Sequence, residues 1–208
     1  MMKFSTPQPR YVVFEGLDGS GTTTQWKMLQ DWMQSKSFPV IAVKEPTNGP
    51  IGKLIRSYLS GEYVASQEVL AKLFAADRWE QMYKVGGILE HLQKGNWIVS
   101  DRCLVSSLAY QSLSIPFREV LSLNKGILLP SIIFYLDIDP QIGMQRVAQR
   151  KNDLEIFESV ELQIQIRKQY LKSLNYMKKY GVDVVFLSGA DSVESIHEKI
   201  KEWVTKIR

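Results

Sequence analysis

Apolar, β-branched runs recur along the chain at Tyr11–Phe14, Val40–Val43, Trp97–Val99, Ile132–Leu136 and Val182–Leu187. None alternates cleanly with polar residues, which is the pattern of strands buried on both faces. Between them the sequence reads as helix over roughly 23–36, 50–60, 66–94, 104–112, 117–125, 141–150, 159–180 and 192–206. Strands that alternate with helices in this way predict a parallel sheet covered on both sides. The 66–94 stretch is long and contains Gly86-Gly87, where a kink or break is expected. No internal repeat or low-complexity segment interrupts the order.

The first strand runs into Glu15-Gly16-Leu17-Asp18-Gly19-Ser20-Gly21-Thr22-Thr23-Thr24, and a helix-forming run follows. The spacing is that of the phosphate-binding loop G-x-x-x-x-G-K-[ST], except that Thr22 stands where the motif has lysine. The backbone part of such a site survives. Glycines let N–H groups close around phosphate oxygens, and the helix N-terminus adds partial positive charge. Thr23 keeps the hydroxyl expected on Mg²⁺. A glycine-rich turn with no ligand is the competing reading of the loop alone.

The chain has 208 residues, 45% hydrophobic and 23% charged, as expected of one ordinary globular domain spanning 1–208. No apolar run reaches transmembrane length and the N-terminus lacks a signal-peptide core, so a cytoplasmic protein without a membrane partner is expected. A single cysteine, Cys103, excludes an internal disulfide and a multi-cysteine metal site. The net charge of +4 is dispersed and forms no basic tail, which suits anionic small molecules and gives no sign of a nucleic-acid partner. His91 and His197 fall in predicted helices and read as solvated surface residues.

Ligands of open α/β sheets bind outside the carboxyl ends of the strands. That rule singles out Asp18, Lys44-Glu45-Pro46, Asp101-Arg102 and Asp137-Ile138-Asp139. In Asp101-Arg102 the acid can hold Mg²⁺ and the arginine can clamp a phosphate, although a strand-end ion pair explains the two as well. Phe74 and Arg78 lie four apart on one helical face. They read either as a platform for a nucleobase or as a core phenylalanine with a surface arginine.

Taken in order, these residues resemble the thymidylate kinase family from residue 11 nearly to the end of the chain. The matching pieces are Glu15-Gly16-Leu17-Asp18, Glu45-Pro46, Leu73-Phe74-Ala75-Ala76-Asp77-Arg78-Trp79-Glu80-Gln81, Asp101-Arg102 with Ser106 and Ala109-Tyr110-Gln111, and Phe157-Glu158. The resemblance implies a three-layer α/β sandwich of the P-loop NTPase type, with a short lid around 148–158. It implies phosphorylation of dTMP to dTDP by Mg-ATP on the way to dTTP, and a homodimer that packs the helices around 50–60 and 66–90. Carried over by position, Gly16, Leu17, Asp18, Gly19, Ser20, Gly21, Thr22, Thr23 and Thr24 would bind ATP. Asp18 would sit near the sugar 3′-hydroxyl, Phe74 would stack on thymine, Arg78 would meet a base carbonyl and Ser107 would lie near the base edge. Arg102 would hold the acceptor phosphate, and Thr23 with Asp101 would serve Mg²⁺.

Three positions depart from the family pattern: Thr22, Cys103, and Ile156 where an arginine is usual. Arg150 and Lys151 on the lid are the expected substitutes for the missing charge, with Arg146 a further cation nearby; a solvated helix end is the competing reading of all three. Cys103 reads as a reactive thiol or a small packing residue. Two other readings stand beside dTMP kinase: a kinase for another monophosphate, and a nucleotide-binding protein left without catalysis by Thr22.

Overall fold

The computed structural model describes Phe4 and residues 6–149 and 159–207. Strands β1 (Gln8–Gly16), β2 (Val40–Lys44), β3 (Trp97–Asp101), β4 (Pro130–Asp137) and β5 (Asp183–Ser188) form one five-stranded sheet in the order β2-β3-β1-β4-β5. Every pairing is parallel. The helices are α1 (Thr22–Ser35), α2 (Pro50–Leu59), α3 (Gln67–Tyr83), α4 (Ile88–Gln93), α5 (Leu104–Tyr110), α6 (Phe117–Leu123), α7 (Pro140–Ala148), α8 (Val160–Lys178) and α9 (Val193–Lys206).

The central strand shows why the apolar runs are continuous. Tyr11, Val12, Val13 and Phe14 are all fully buried, and successive side chains enter opposite layers. Tyr11 and Val13 join a core with Met82 of α3, Leu108 of α5 and Ile166, Tyr170 and Leu174 of α8. Val12 and Phe14 pack instead with Leu29 and Met33 of α1 and Ile196, Ile200 and Val204 of α9. The α/β sandwich expected from the sequence is therefore present, with helices on both faces of a parallel sheet.

The expected break in the 66–94 stretch is present. α3 ends at Tyr83, Lys84 is extended, and Gly86 takes φ +70°, a conformation that L side chains rarely adopt. α4 then starts at Ile88. The histidine expectation is corrected in part. His197 is only 7% exposed, because it shares the core-facing side of α9 with Ile200 and Val204. Burial, with Lys201 adding to it, lowers its pKa. No helix among the described residues is long and apolar enough to cross a membrane.

Candidate active site

β1 delivers the chain into the phosphate-loop turn at the carboxyl edge of the sheet. Gly19 has φ +77°, and a Cβ there would lie 2.2 Å from the Gly143 carbonyl oxygen. Glycine is thus required twice, for the turn and for the close approach of α7. The α1 N-cap, Gly21, offers no side-chain cap, so the first-turn N–H groups are left facing outward from the helix end. Ser20 Oγ is buried without a hydrogen-bond partner among the described residues. Thr22 is buried at the start of α1 and brings no charge to the loop.

Of the cations named from the sequence, Arg146 borders this loop. Its Nη1 donates to the Gly189 carbonyl at 2.9 Å and more weakly to the Gly19 carbonyl at 3.4 Å. With Ser20, Gly21, Thr24, Gln25 and Asp191 it lines a pocket on the outer side of the loop. Arg150 and Lys151, like Ile156, Phe157 and Glu158, lie outside the described residues.

Thr23 and Asp101 come together as expected: Thr23 Oγ1 donates to Asp101 Oδ2 at 2.6 Å. Asp101 Oδ1 is buried and unpartnered among the described residues. A hydroxyl beside a carboxylate with an unused oxygen fits Mg²⁺, which prefers hard oxygen ligands and uses few of them from protein. No group of three His, Cys, Asp or Glu side chains gathers among the described residues.

Arg102 follows β3 in the left-handed region, φ +71°. This conformation is costly for a non-glycine residue and persists only where the surroundings enforce it. Here they do. The Arg102 backbone N–H donates to the Phe14 carbonyl at 2.9 Å, and Ser100 Oγ donates to the Arg102 carbonyl at 2.7 Å. Its Nη2 meets Asp18 Oδ1 at 2.6 Å, and Nη1 reaches Tyr170 Oη at 2.9 Å, Ser106 Oγ at 3.2 Å and the Gly16 carbonyl at 3.2 Å. Burial works against its charge, but Tyr110, Tyr170 and Asp18 outweigh that and raise its pKa well above the ordinary value. Asp18 Oδ2 accepts from Tyr110 Oη at 3.0 Å and from Gln163 Nε2 at 3.1 Å.

The Phe74/Arg78 pair reverses the bland expectation of a core phenylalanine and a surface arginine. Arg78 is fully buried and Phe74 is half-buried at the wall of a cleft. Glu45 explains how the guanidinium is tolerated: it accepts from Arg78 Nε at 2.9 Å and from Nη2 at 2.5 Å. Arg78 Nη2 also donates to Ser107 Oγ at 2.9 Å, and Nη1 donates to Asn124 Oδ1. These bonds use four of the five N–H donors of a guanidinium, which leaves one Nη1 N–H without a partner among the described residues. Asp18, Phe74, Arg78, Arg102 and Ser107, which the sequence reading named separately, line this one cleft.

Cys103 is a packing residue. It is 2% exposed, accepts from Tyr11 Oη at 3.2 Å, and burial pushes its thiol up to about 12, so no thiolate forms near neutrality.

Several members of the site have no role that the sequence alone assigns. Asn124 secures Arg78, while Tyr170 and Gln163 reach in from α8 and Glu15 lies beneath Arg102. Tyr110 and Glu45 were visible as motif residues, but their polar work was not. The signal for α8 was faint, since Gln163 and Tyr170 are seven apart on one helical face and nothing in the pattern says which sheet edge that face meets.

The profile of the family described as thymidylate kinase matches residues 14–200 of the chain. A Pyrococcus abyssi protein named "Probable thymidylate kinase" is 37% identical over 197 residues, covering 91% of this chain and 93% of its own length. Proteins with the same name from Methanococcus aeolicus and Thermococcus kodakarensis are 35% and 34% identical, covering 92% and 91% of this chain and 93% and 94% of their own.

Proposed function

The chain belongs to the thymidylate kinase family, and on that premise we propose that it transfers the γ-phosphoryl group of Mg-ATP to dTMP. One observation carries the reading: a single cleft holds the Asp18–Arg102 pair together with the Phe74 and Arg78 base platform. A nucleoside monophosphate needs both, one for its phosphate and sugar and one for its base.

The residues divide the work by their chemistry. The acceptor phosphate, with a second pKa near 6, is largely dianionic at neutral pH, so no general base is needed and catalysis rests on positioning and charge neutralisation. Arg102 is held charged and aimed by its neighbours, and it takes the acceptor phosphate. Asp18, restrained by Arg102, Tyr110 and Gln163, faces the sugar. Phe74 stacks on the base, and the remaining Arg78 N–H donates to a pyrimidine carbonyl. The backbone of Gly16–Thr24 cradles the donor phosphates, while Arg146 closes the outer pocket beside them. Mg²⁺, held by Thr23 and Asp101, would neutralise phosphate charge.

The lid carries the charge that Thr22 lacks, through Arg150 or Lys151. The protein works as a homodimer through α2 and α3, whose Leu54, Val69 and Trp79 are each about two-fifths exposed. Coupled ADP release with dTMP, dUMP, UMP and CMP tests the reading. Turnover highest with dTMP supports it. Nucleotide binding without dTMP-dependent ADP release overturns it in favour of a protein disabled by Thr22.

A further inference from the structure

Beneath Arg102 lies a second carboxylate that no phosphate can reach. Glu15, the penultimate residue of β1, is fully buried, yet four donors converge on it. Its Oε1 accepts from the Cys103 N–H at 3.0 Å and the Ser106 N–H at 3.2 Å. Its Oε2 accepts from Ser106 Oγ at 2.5 Å and, more weakly, from Tyr170 Oη at 3.3 Å. A carboxylate offers about four lone-pair sites, so the set is filled.

The direction of these bonds has a consequence one step further out. Each hydroxyl has one proton. While Ser106 gives its proton to Glu15, its oxygen can only accept from the other side. Tyr170 Oη lies 2.8 Å from Ser106 Oγ, so the tyrosine proton is drawn to the serine oxygen or to Glu15. Both hydroxyl oxygens therefore present lone pairs to Arg102 Nη1, which donates to each of them. A neutral side chain at position 15 would free one of these protons to turn toward the guanidinium.

We propose that Glu15 is a positioning residue for phosphoryl transfer, which fixes the proton direction of Ser106 and Tyr170 and thereby holds Arg102 in place for the acceptor phosphate. The proposal rests on the assignment of Arg102 to that phosphate. Burial pushes the Glu15 pKa up to about 7, opposed by its bond from Ser106 and by the charge of Arg102, so the device is complete only above neutrality. The other ionisable groups around it are Cys103 and Tyr170, whose pKa values burial raises, and Tyr135, raised by burial and by Asp137; all three are neutral there.

The test is steady-state kinetics of Glu15→Gln with dTMP and ATP between pH 6 and 9. Tyr170→Phe and Arg102→Gln serve as companions, and circular dichroism checks the fold. The variant is expected to lose about tenfold or more in kcat/KM for dTMP, the scale of one charge-assisted hydrogen bond, with KM for ATP within about twofold. Its profile should lose the acid limb of the wild-type enzyme that lies above the limb of the substrate phosphate. Tyr170→Phe should reproduce part of the loss and add little on top of Glu15→Gln. If Arg102→Gln is impaired while Glu15→Gln keeps wild-type kcat/KM and pH profile, the inference is wrong and the acceptor assignment stands. If Arg102→Gln itself leaves dTMP kinetics unchanged, the assignment on which the inference rests is wrong. Should Glu15→Gln fail to fold, Tyr170→Phe carries the test alone, and an unchanged KM and kcat for dTMP in that variant overturns the inference.

Discussion

Replacing Arg78 separates structure from substrate reading at one buried position. The guanidinium has no exposed surface and its Glu45 partner is 7% exposed, so Arg78→Met leaves a carboxylate in a dry site. Removing one member of a buried pair costs about 3–5 kcal/mol. Glu45 softens that cost by taking up a proton, because burial already raises its pKa and the opposing charge of Arg78 is gone. For a chain of 208 residues, a loss of this size lowers Tm by roughly 10 °C. Adding Glu45→Leu removes the stranded carboxyl. The double variant should recover all but about 1–3 kcal/mol, the cost of leaving Asn124 without its donor at 1% exposure. Base reading should not recover. Loss of a charged donor to a base carbonyl is worth about 1.5–3 kcal/mol, which lowers kcat/KM for dTMP roughly tenfold to a hundredfold. Urea denaturation and dTMP kinetics on the single and double variants are the assay. A double variant that regains stability and also wild-type kcat/KM would show that Arg78 is only a structural cation, and a single variant destabilised by under about 1 kcal/mol would refute the buried-pair argument.

Phe74→Ala should weaken dTMP binding by roughly 1–3 kcal/mol, measured by titration, while ATP affinity barely moves; equal weakening of both ligands would return Phe74 to the core. The double change Arg150→Gln/Lys151→Gln should lower kcat far more than it changes dTMP affinity, and Thr22→Lys in that background should restore part of the loss. A kcat within about twofold of wild type, under 0.5 kcal/mol, would end the lid-compensation idea. Glu15 also sets a stability slope: its folded pKa of about 7 lies above the ordinary 4.5, so the folded chain holds the proton more tightly than the unfolded one. That stabilisation is complete below about pH 4.5 and lost as pH rises through about 7, some 3 kcal/mol at 1.4 kcal/mol per unit. Denaturation of Glu15→Gln across that range should lack this decline, and a parallel decline in the variant would contradict it.

What the sequence disclosed and what it withheld follow from the range of the interactions. The strand runs, the helix break at Gly86 and the glycine loop are local: burial of consecutive residues, a positive φ and a close backbone approach each leave a mark within a few positions. Residues at strand ends were legible for a related reason, since a parallel sheet brings all its carboxyl ends to one edge. Asp18, Thr23, Asp101 and Arg102 met there without any contact being known beforehand. Orientation was the part that stayed hidden. Arg78 looked like a surface arginine because no local feature shows that Glu45 and Asn124, 33 and 46 positions away, would enclose it. Glu15 reads from the sequence only as the start of a motif, because its partner Tyr170 is 155 positions distant. Thr22 shows the opposite case, where the local departure is plain and its meaning is not local. The loop keeps its left-handed glycines and the uncapped N-terminus of α1, so the absent lysine removes charge without altering that backbone. Among the described residues Arg146 of α7 borders the loop, so charge beside it does not depend on position 22 alone.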